Sequence, residues 1–381
     1  MTMMIERGRI GVRSRQSARG LRLGLLGLAC LAAVSVAASA QTYLEFNSPG
    51  AGTAPTQGTF PLSINTHEAI AGYYIDASNV LHGFVGSASG TITSIDVSKA
   101  FFTVADSINS AGVIAGHWGD VNAVHHGFVR SAGGKITSFD APGAGKNIHQ
   151  GTLPKSINTA GVIAGYYSDA RRVDHGFVRS ADGTITSFDA PGASGTLAFS
   201  INTDGAIAGY YFDASRVYHG FVRSASGTIT SFDAPGAGTN GSTGVAQGTF
   251  ALSINAGGVI VGYYVDASDG YHGFVRSADG TITTLNAPGA GTGRSPLTGA
   301  SLGTRALSIN DGVIVGYYSD PNEVYHGFMV SASGTITTFN APRAGTTLAT
   351  GTYPVSINDS GVIVGYYSNP NDVYHGFQLT P

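Results

Sequence analysis

Cysteine is nearly missing from this chain. Cys30 is the only one in 381 residues, and it falls in the first forty, so disulfides cannot hold the rest together. Charge is scarce too: Asp, Glu, Lys and Arg make up 11% of the chain, with a formal net charge of −3. No basic run after the first forty residues suits nucleic acid or an anionic membrane surface. Trp118 is the sole tryptophan. Beyond residue 40 there is no amphipathic stretch with helical period, which argues against an α or α/β domain. Catalytic signatures are also lacking. The chain has no Gly-x-Ser-x-Gly elbow, His-Glu-x-x-His pair, phosphate loop or dinucleotide fingerprint, so no cofactor is expected.

What is present is repetition. Ser-Ile-Asn begins at Ser63, Ser107, Ser156, Ser200, Ser253, Ser308 and Ser356. His-Gly-Phe begins at His82, His126, His175, His219, His272, His326 and His375. The two motifs lie 19 residues apart in every copy but the sixth, where Asn310-Asp311-Gly312 is one residue shorter and the distance is 18. A further 14 residues lead from each of the first six His to Asp96, Asp140, Asp189, Asp233, Asn286 or Asn340. From there to the next Ser-Ile-Asn the gap runs 11, 16, 11, 20, 22 and 16 residues. Constant spacing marks packed scaffold and variable spacing marks surface connections.

Each copy reads as four short strands. The first ends in Ser-Ile-Asn, and Asn158 with Gly161 supplies turn chemistry. Val162–Tyr167 is β-branched and aromatic, a third strand starts at His175, and Thr184–Phe188 alternates as a fourth. Four antiparallel strands repeated seven times predict an all-β fold, a seven-bladed β-propeller. The chain ends agree. The last copy stops at Pro381 without its fourth strand, while Leu44-Glu45-Phe46-Asn47 near the start matches Thr230-Ser231-Phe232-Asp233. The N-terminal strand is therefore expected to complete the last blade and close the ring, leaving no open blade face.

Residues 1–40 read as a signal peptide. Six arginines from Arg7 to Arg22 precede an apolar run from Leu23 to Val36, and Ala38-Ser39-Ala40 is a small-residue cleavage site. The run is short for a membrane span. Cleavage would leave residues 41–381 with 14 basic and 22 acidic side chains, a net charge of −8. The expected product is secreted, extracellular or periplasmic, and monomeric, without nucleic-acid partners or membrane insertion.

The motifs resemble a known family. Asn-x-x-Gly-x-Ile-x-Gly followed by His-Gly-Phe is similar to the bacterial extracellular HAF repeats, named for His-Ala-Phe, over about residues 42–381. Here the middle residue is Gly in all seven copies. The resemblance implies a secreted repeat architecture and carries over no catalytic residue.

In such a propeller the connections between strands two and three share a face with those between blades. The first set carries Asp76, Asp120, Asp169, Asp213, Asp266 and Asp320, each two residues after an aromatic side chain; the second carries Pro-Gly-Ala-Gly and the large insertions. Residues repeated in every copy are ordinarily scaffold: the His to satisfy partners within a blade, the Asp to cap turns, the Tyr to pack between blades. One carboxylate per blade is too few for a hard-cation loop.

Function more often sits where the repeat is broken. Copy two has His117-Trp118 in place of Tyr-Tyr, and His125 before His126. In a tight hairpin His117 and His125 could approach each other, and with Asp120 they could ligate a transition metal or act as acid and base. Copy three has Arg171-Arg172 and Asp174, and Asp106 and Lys155 replace apolar residues in the inner strands. His117, Trp118, Asp120, His125, Arg171 and Arg172 are accordingly the expected ligand residues. The sequence thus reads as a non-catalytic binding module for carbohydrate or an extracellular protein. The alternatives are a polysaccharide-active hydrolase or lyase, whose acid and base on different blades leave no local signature, and a purely structural surface protein.

Overall fold

The computed structural model describes residues 41–381 apart from 88, 242 and 243; the expected leader and Cys30 lie outside the described residues. Twenty-eight strands and no helix occur among the described residues. Accordingly, none of them forms a helix long and apolar enough to cross a membrane.

After β1 (Thr42–Phe46) the first unit consists of β2 (Gly58–Ile64), β3 (Ile70–Ile75), β4 (Leu81–Gly86) and β5 (Ile92–Ile95), each antiparallel to the next. Unit 2 is β6 (Phe102–Ile108), β7 (Ile114–Gly119), β8 (His125–Arg130) and β9 (Ile136–Phe139). Unit 3 is β10 (Gly151–Ile157), β11 (Ile163–Ser168), β12 (Asp174–Arg179) and β13 (Ile185–Phe188). Units 4 to 6 are β14–β17 (195–232), β18–β21 (248–285) and β22–β25 (303–339). The seventh is β26 (Gly351–Ile357), β27 (Ile363–Ser368) and β28 (Tyr374–Thr380), and its fourth strand is β1, paired antiparallel with β28 from Thr42↔Thr380 to Phe46↔Gly376.

The paired strands form two sheets, of 20 and 8 strands, rather than one closed sheet. Connection length accounts for the break. At five junctions a glycine opening the first strand makes a parallel bridge to the preceding unit, as Gly151 does to His125 and Gly58 to Tyr374. A Cβ on Gly151 would stand 1.9 Å from the His125 carbonyl, so only glycine allows that approach. The two junctions without a bridge, units 1 to 2 and 3 to 4, are those with the short 11-residue spacing.

The core lies between neighbouring units. Seven apolar clusters each join two of them: Ala115 and Val129 of unit 2 meet Ile157, Ile163 and Phe177 of unit 3, and Val362 and Val364 of unit 7 meet Ile64, Ile70 and Phe84 of unit 1. The Phe of every His-Gly-Phe is fully buried, each contributing roughly 3 kcal/mol. Its Gly is explained by the next strand. A Cβ on Gly127 would come within 2.7 Å of the Phe139 ring, so an alanine there would displace an aromatic side chain.

Every first strand also carries a β-bulge just before Ser-Ile-Asn. The residues skipped in units 2 and 3 are Asp106 and Lys155. A bulge turns its extra side chain away from the regular alternation, which brings these two together.

Candidate functional site

The rim is built from one turn repeated. In unit 1 the Asp76 Oδ1 accepts N–H groups from Ser78 and Val80 at 2.8 and 2.9 Å, and Asn79 takes a φ of 63°. The other Asp76 oxygen faces His82 Nε2 at 3.4 Å, and His82 Nδ1 reaches Asp96 at 2.8 Å. The same turn holds Asp120, Asp169, Asp213, Asp266 and Asp320, with Asn369 in unit 7. Each repeated His is thus a crossbar inside its own unit, stacked on Tyr74 or its equivalent. Hydrogen bonds from the Val124 and Asn122 amides, with the His126 charge nearby, outweigh burial and hold Asp120 below the usual carboxylate range.

Between units 2 and 3 this rim opens into a groove of about 600 Å³ lined by Asp120, Asn122, His126, Asp140 and Lys146 with the Gly143-Ala144-Gly145 backbone. Asp140 is about half exposed (54%), so its second oxygen reaches solvent while the first accepts from His126 at 2.9 Å. Trp118 stacks on His126 at 4.4 Å and donates its indole N–H to Ser138 Oγ at 3.1 Å.

The opposite face of the same strands holds a charged interior. Asp106 lies 2.6 Å from His117 Nδ1 and 3.1 Å from Lys155 Nζ, all largely buried. Burial pushes the Asp106 carboxyl up, but His117 and Lys155 outweigh it and the group ends below its ordinary value. Burial likewise works against the Lys155 ammonium, and Asp106 more than reverses it. His125 is driven down to about 4, first by burial and then by His117, His149 and Lys155, so it is neutral at pH 7. Asp174 moves the other way, raised by burial.

The expected ligand residues therefore divide. His117 and His125 do meet, with ring centroids 5.6 Å apart. Asp120 does not join them: side chains alternate along β7, and Asp120 is engaged in the turn on the other face beside His126. The carboxylate beside His117 is Asp106, from the neighbouring strand. Arg171 and Arg172 are exposed on the turn after Asp169, away from the groove lining. Sequence reasoning missed His126, Asp140 and Lys146 as one groove. It also missed His149, whose ring centroid is 6.3 Å from that of His125. Of these, only the histidine count outside the repeats carried a signal.

A second cavity, of about 420 Å³, opens at the Ser-Ile-Asn turns and is lined by residues of all seven units. Asn65, Asn109, Asn158, Asn202 and Asn358 each close their own turn through Oδ1, while Nδ2 donates to the next unit's Asn carbonyl, as in Asn65 to Asn109, Asn109 to Asn158 and Asn358 to Asn65. In the shortened sixth copy Asn310 donates instead to the Asp359 carboxylate, at 2.6 Å.

No family model matches the chain. No curated protein matches it either. Among solved structures it is similar to the BP39L lectin from Burkholderia pseudomallei, at 9% identity and a TM-score of 0.50 over 87% of this chain and 94% of the lectin. It is also similar to the Dos1 propeller, at 10% identity and TM-score 0.46 over 88% and 95% of the two chains. With TolB from Acinetobacter baumannii the figures are 11% identity and TM-score 0.45; 82% of this chain matches, spanning 63% of TolB. These are likenesses of fold. With its repeated four-stranded antiparallel units, the chain is all-β and β-propeller-like.

Proposed function

We propose that this is a secreted, seven-bladed β-propeller, closed by β1 in the last blade, that acts as a non-catalytic module binding carbohydrate. The groove between units 2 and 3 carries this reading. It offers Asp140, Asn122 and Lys146 as hydrogen-bonding groups on a frame already fixed by the Asp120 turn and the Trp118–His126 stack. A pre-formed polar site loses little entropy on binding, and hydroxyl-rich ligands need several such groups at once. Two carboxylates beside one lysine favour neutral or amino sugars over acidic ones. Asp120, held below the usual carboxylate range and engaged in its turn, is poorly suited to be the acid of the hydrolase alternative. Kinship with HAF repeats belongs to the same proposal and rests on the Asn-x-x-Gly and His-Gly-Phe motifs.

The test is a glycan array, followed by calorimetry of any glycan bound. Asp140→Asn or Asn122→Ala should weaken binding about tenfold or more, since each removes a hydrogen bond and leaves a partner unpaired. An array without hits, or binding indifferent to both variants, overturns the reading; capture of an extracellular protein through the same residues would replace the sugar with a protein partner. Closure has its own test. Removing residues 41–52 takes away β1 and the Glu45 contacts to Tyr367 and Arg343, and should lower Tm more than any single substitution. An unchanged Tm rules the closure out.

A further inference from the structure

Eleven histidines occur in the chain, and seven belong to His-Gly-Phe. The others are His67, His117, His125 and His149. Three of these four meet at one place, although they come from β7, β8 and the connection before β10. The His117 and His125 ring centroids are 5.6 Å apart, and those of His125 and His149 6.3 Å. Phe102 closes one side, packing edge-on against both His117 and His125.

Two details set this cluster apart from chance crowding. His117 Nδ1 is 2.6 Å from the buried Asp106 carboxylate, which leaves Nε2 as its remaining functional atom. That is the arrangement by which a carboxylate fixes a metal-binding imidazole. His125 Nδ1 is buried and has no hydrogen-bond partner. Native proteins rarely leave a buried polar atom unpaired, and an ion or water is a common answer.

We propose that His117, His125 and His149 form a site for a divalent transition-metal ion, with Asp106 as the positioning residue for His117. Imidazole nitrogens are ligands for zinc, copper and nickel. With metal–nitrogen distances of about 2.0–2.1 Å, two imidazoles on one ion have centroids roughly 5–6 Å apart. As they stand, no three His, Cys, Asp or Glu side chains among the described residues are already in ligating positions. His149 must turn inward, and its exposed position on the connection lets it do so. The Lys155 charge is offset by its ion pair with Asp106. Three protein ligands leave a coordination position for water or a donor from a ligand. The site does not depend on the rim groove, which lies on the other face of these strands.

The experiment uses the purified full chain stripped with EDTA. Zn²⁺ alone is titrated calorimetrically, and Co²⁺ serves as the absorbing probe. One ion per chain is expected, with Co²⁺ d–d bands typical of nitrogen ligands. His149→Ala, at an exposed position that leaves folding intact, should weaken binding at least tenfold. His125→Tyr, which installs the residue found there in units 4 to 7, should abolish it. Asp106→Asn should cost about ten- to a hundredfold in affinity. His67→Ala should bind as the parent does. Absence of Zn²⁺ binding, or binding that His149→Ala leaves unchanged, overturns the assignment.

Discussion

At the bulge of the first strand, units 5, 6 and 7 carry Leu252, Leu307 and Val355, where units 2 and 3 carry Asp106 and Lys155. In the second strand Tyr263, Tyr317 and Tyr366 stand where unit 2 has His117. Before His-Gly-Phe, Tyr271, Tyr325 and Tyr374 stand where units 2 and 3 have His125 and Asp174. One region is thus a belt of rings passed from unit to unit, with Tyr317 and Tyr325 packed on Tyr353, and Tyr366 and Tyr374 on Phe60. The other is a buried cluster of ionisable groups. The backbone is the same in both. The three positions that face inward are free to vary, because neither the Asn links nor the buried Phe layer uses them.

The contrast can be tested, starting with the largest effect. Lys155→Leu leaves Asp106 buried with half its compensation and should cost about 3 kcal/mol, read from chemical denaturation. The double variant Asp106→Leu/Lys155→Leu gives units 2 and 3 the residue type used in unit 5, and should regain most of that loss. If the double variant is no better than the single, the two regions are not interchangeable.

Asn158→Ala strikes the layer both regions share. It removes the Nδ2 link to Asn202 at 3.1 Å and two turn hydrogen bonds, and should cost about 2 kcal/mol. A comparable loss from Asn310→Ala, whose link differs, would mean the carbonyl contact itself matters little.

The acid response of the charged region follows from His125. Its folded pKa of about 4 lies below the ordinary 6.5, so unfolding takes up a proton between those values and stability falls as pH drops through that window. The loss should be about 2 kcal/mol after allowing for partial exposure, and His125→Tyr should flatten it in pH-dependent melting. Asp106, also depressed, adds to the decline at lower pH.

The smallest effect belongs to the aromatic belt. Arg305 lies with its guanidinium 3.6 Å from the Tyr271 ring centroid, and Arg305→Lys should cost about 1 kcal/mol, since an ammonium stacks less well.

The repeat made the strand plan readable almost to the residue. Val162–Tyr167 was expected and Ile163–Ser168 is found, because β-branched runs between Gly and Asn turns leave few alternatives. The pairing of β1 with β28 was legible for the same reason. Partnerships across strands were harder. His117 was matched with Asp120, three residues away, whereas its carboxylate is Asp106, eleven residues upstream and delivered by a bulge that no local pattern marks. His149 lay hidden in a connection of variable length. The repeated Asn was read as turn chemistry alone, since only coordinates show that its amide also reaches the next unit.

The pairing of Thr42 with Thr380 also bears on how the molecule is made. Of the described strands β1 is made first and β28 last, so β1 waits for β28 before its edge is covered, and such a distant contact is among the slowest to form. Until then β1 offers bare backbone groups to any passing strand. A chaperone that shields that edge, or slow release of the nascent chain, should therefore govern yield more strongly than changes within any interior unit.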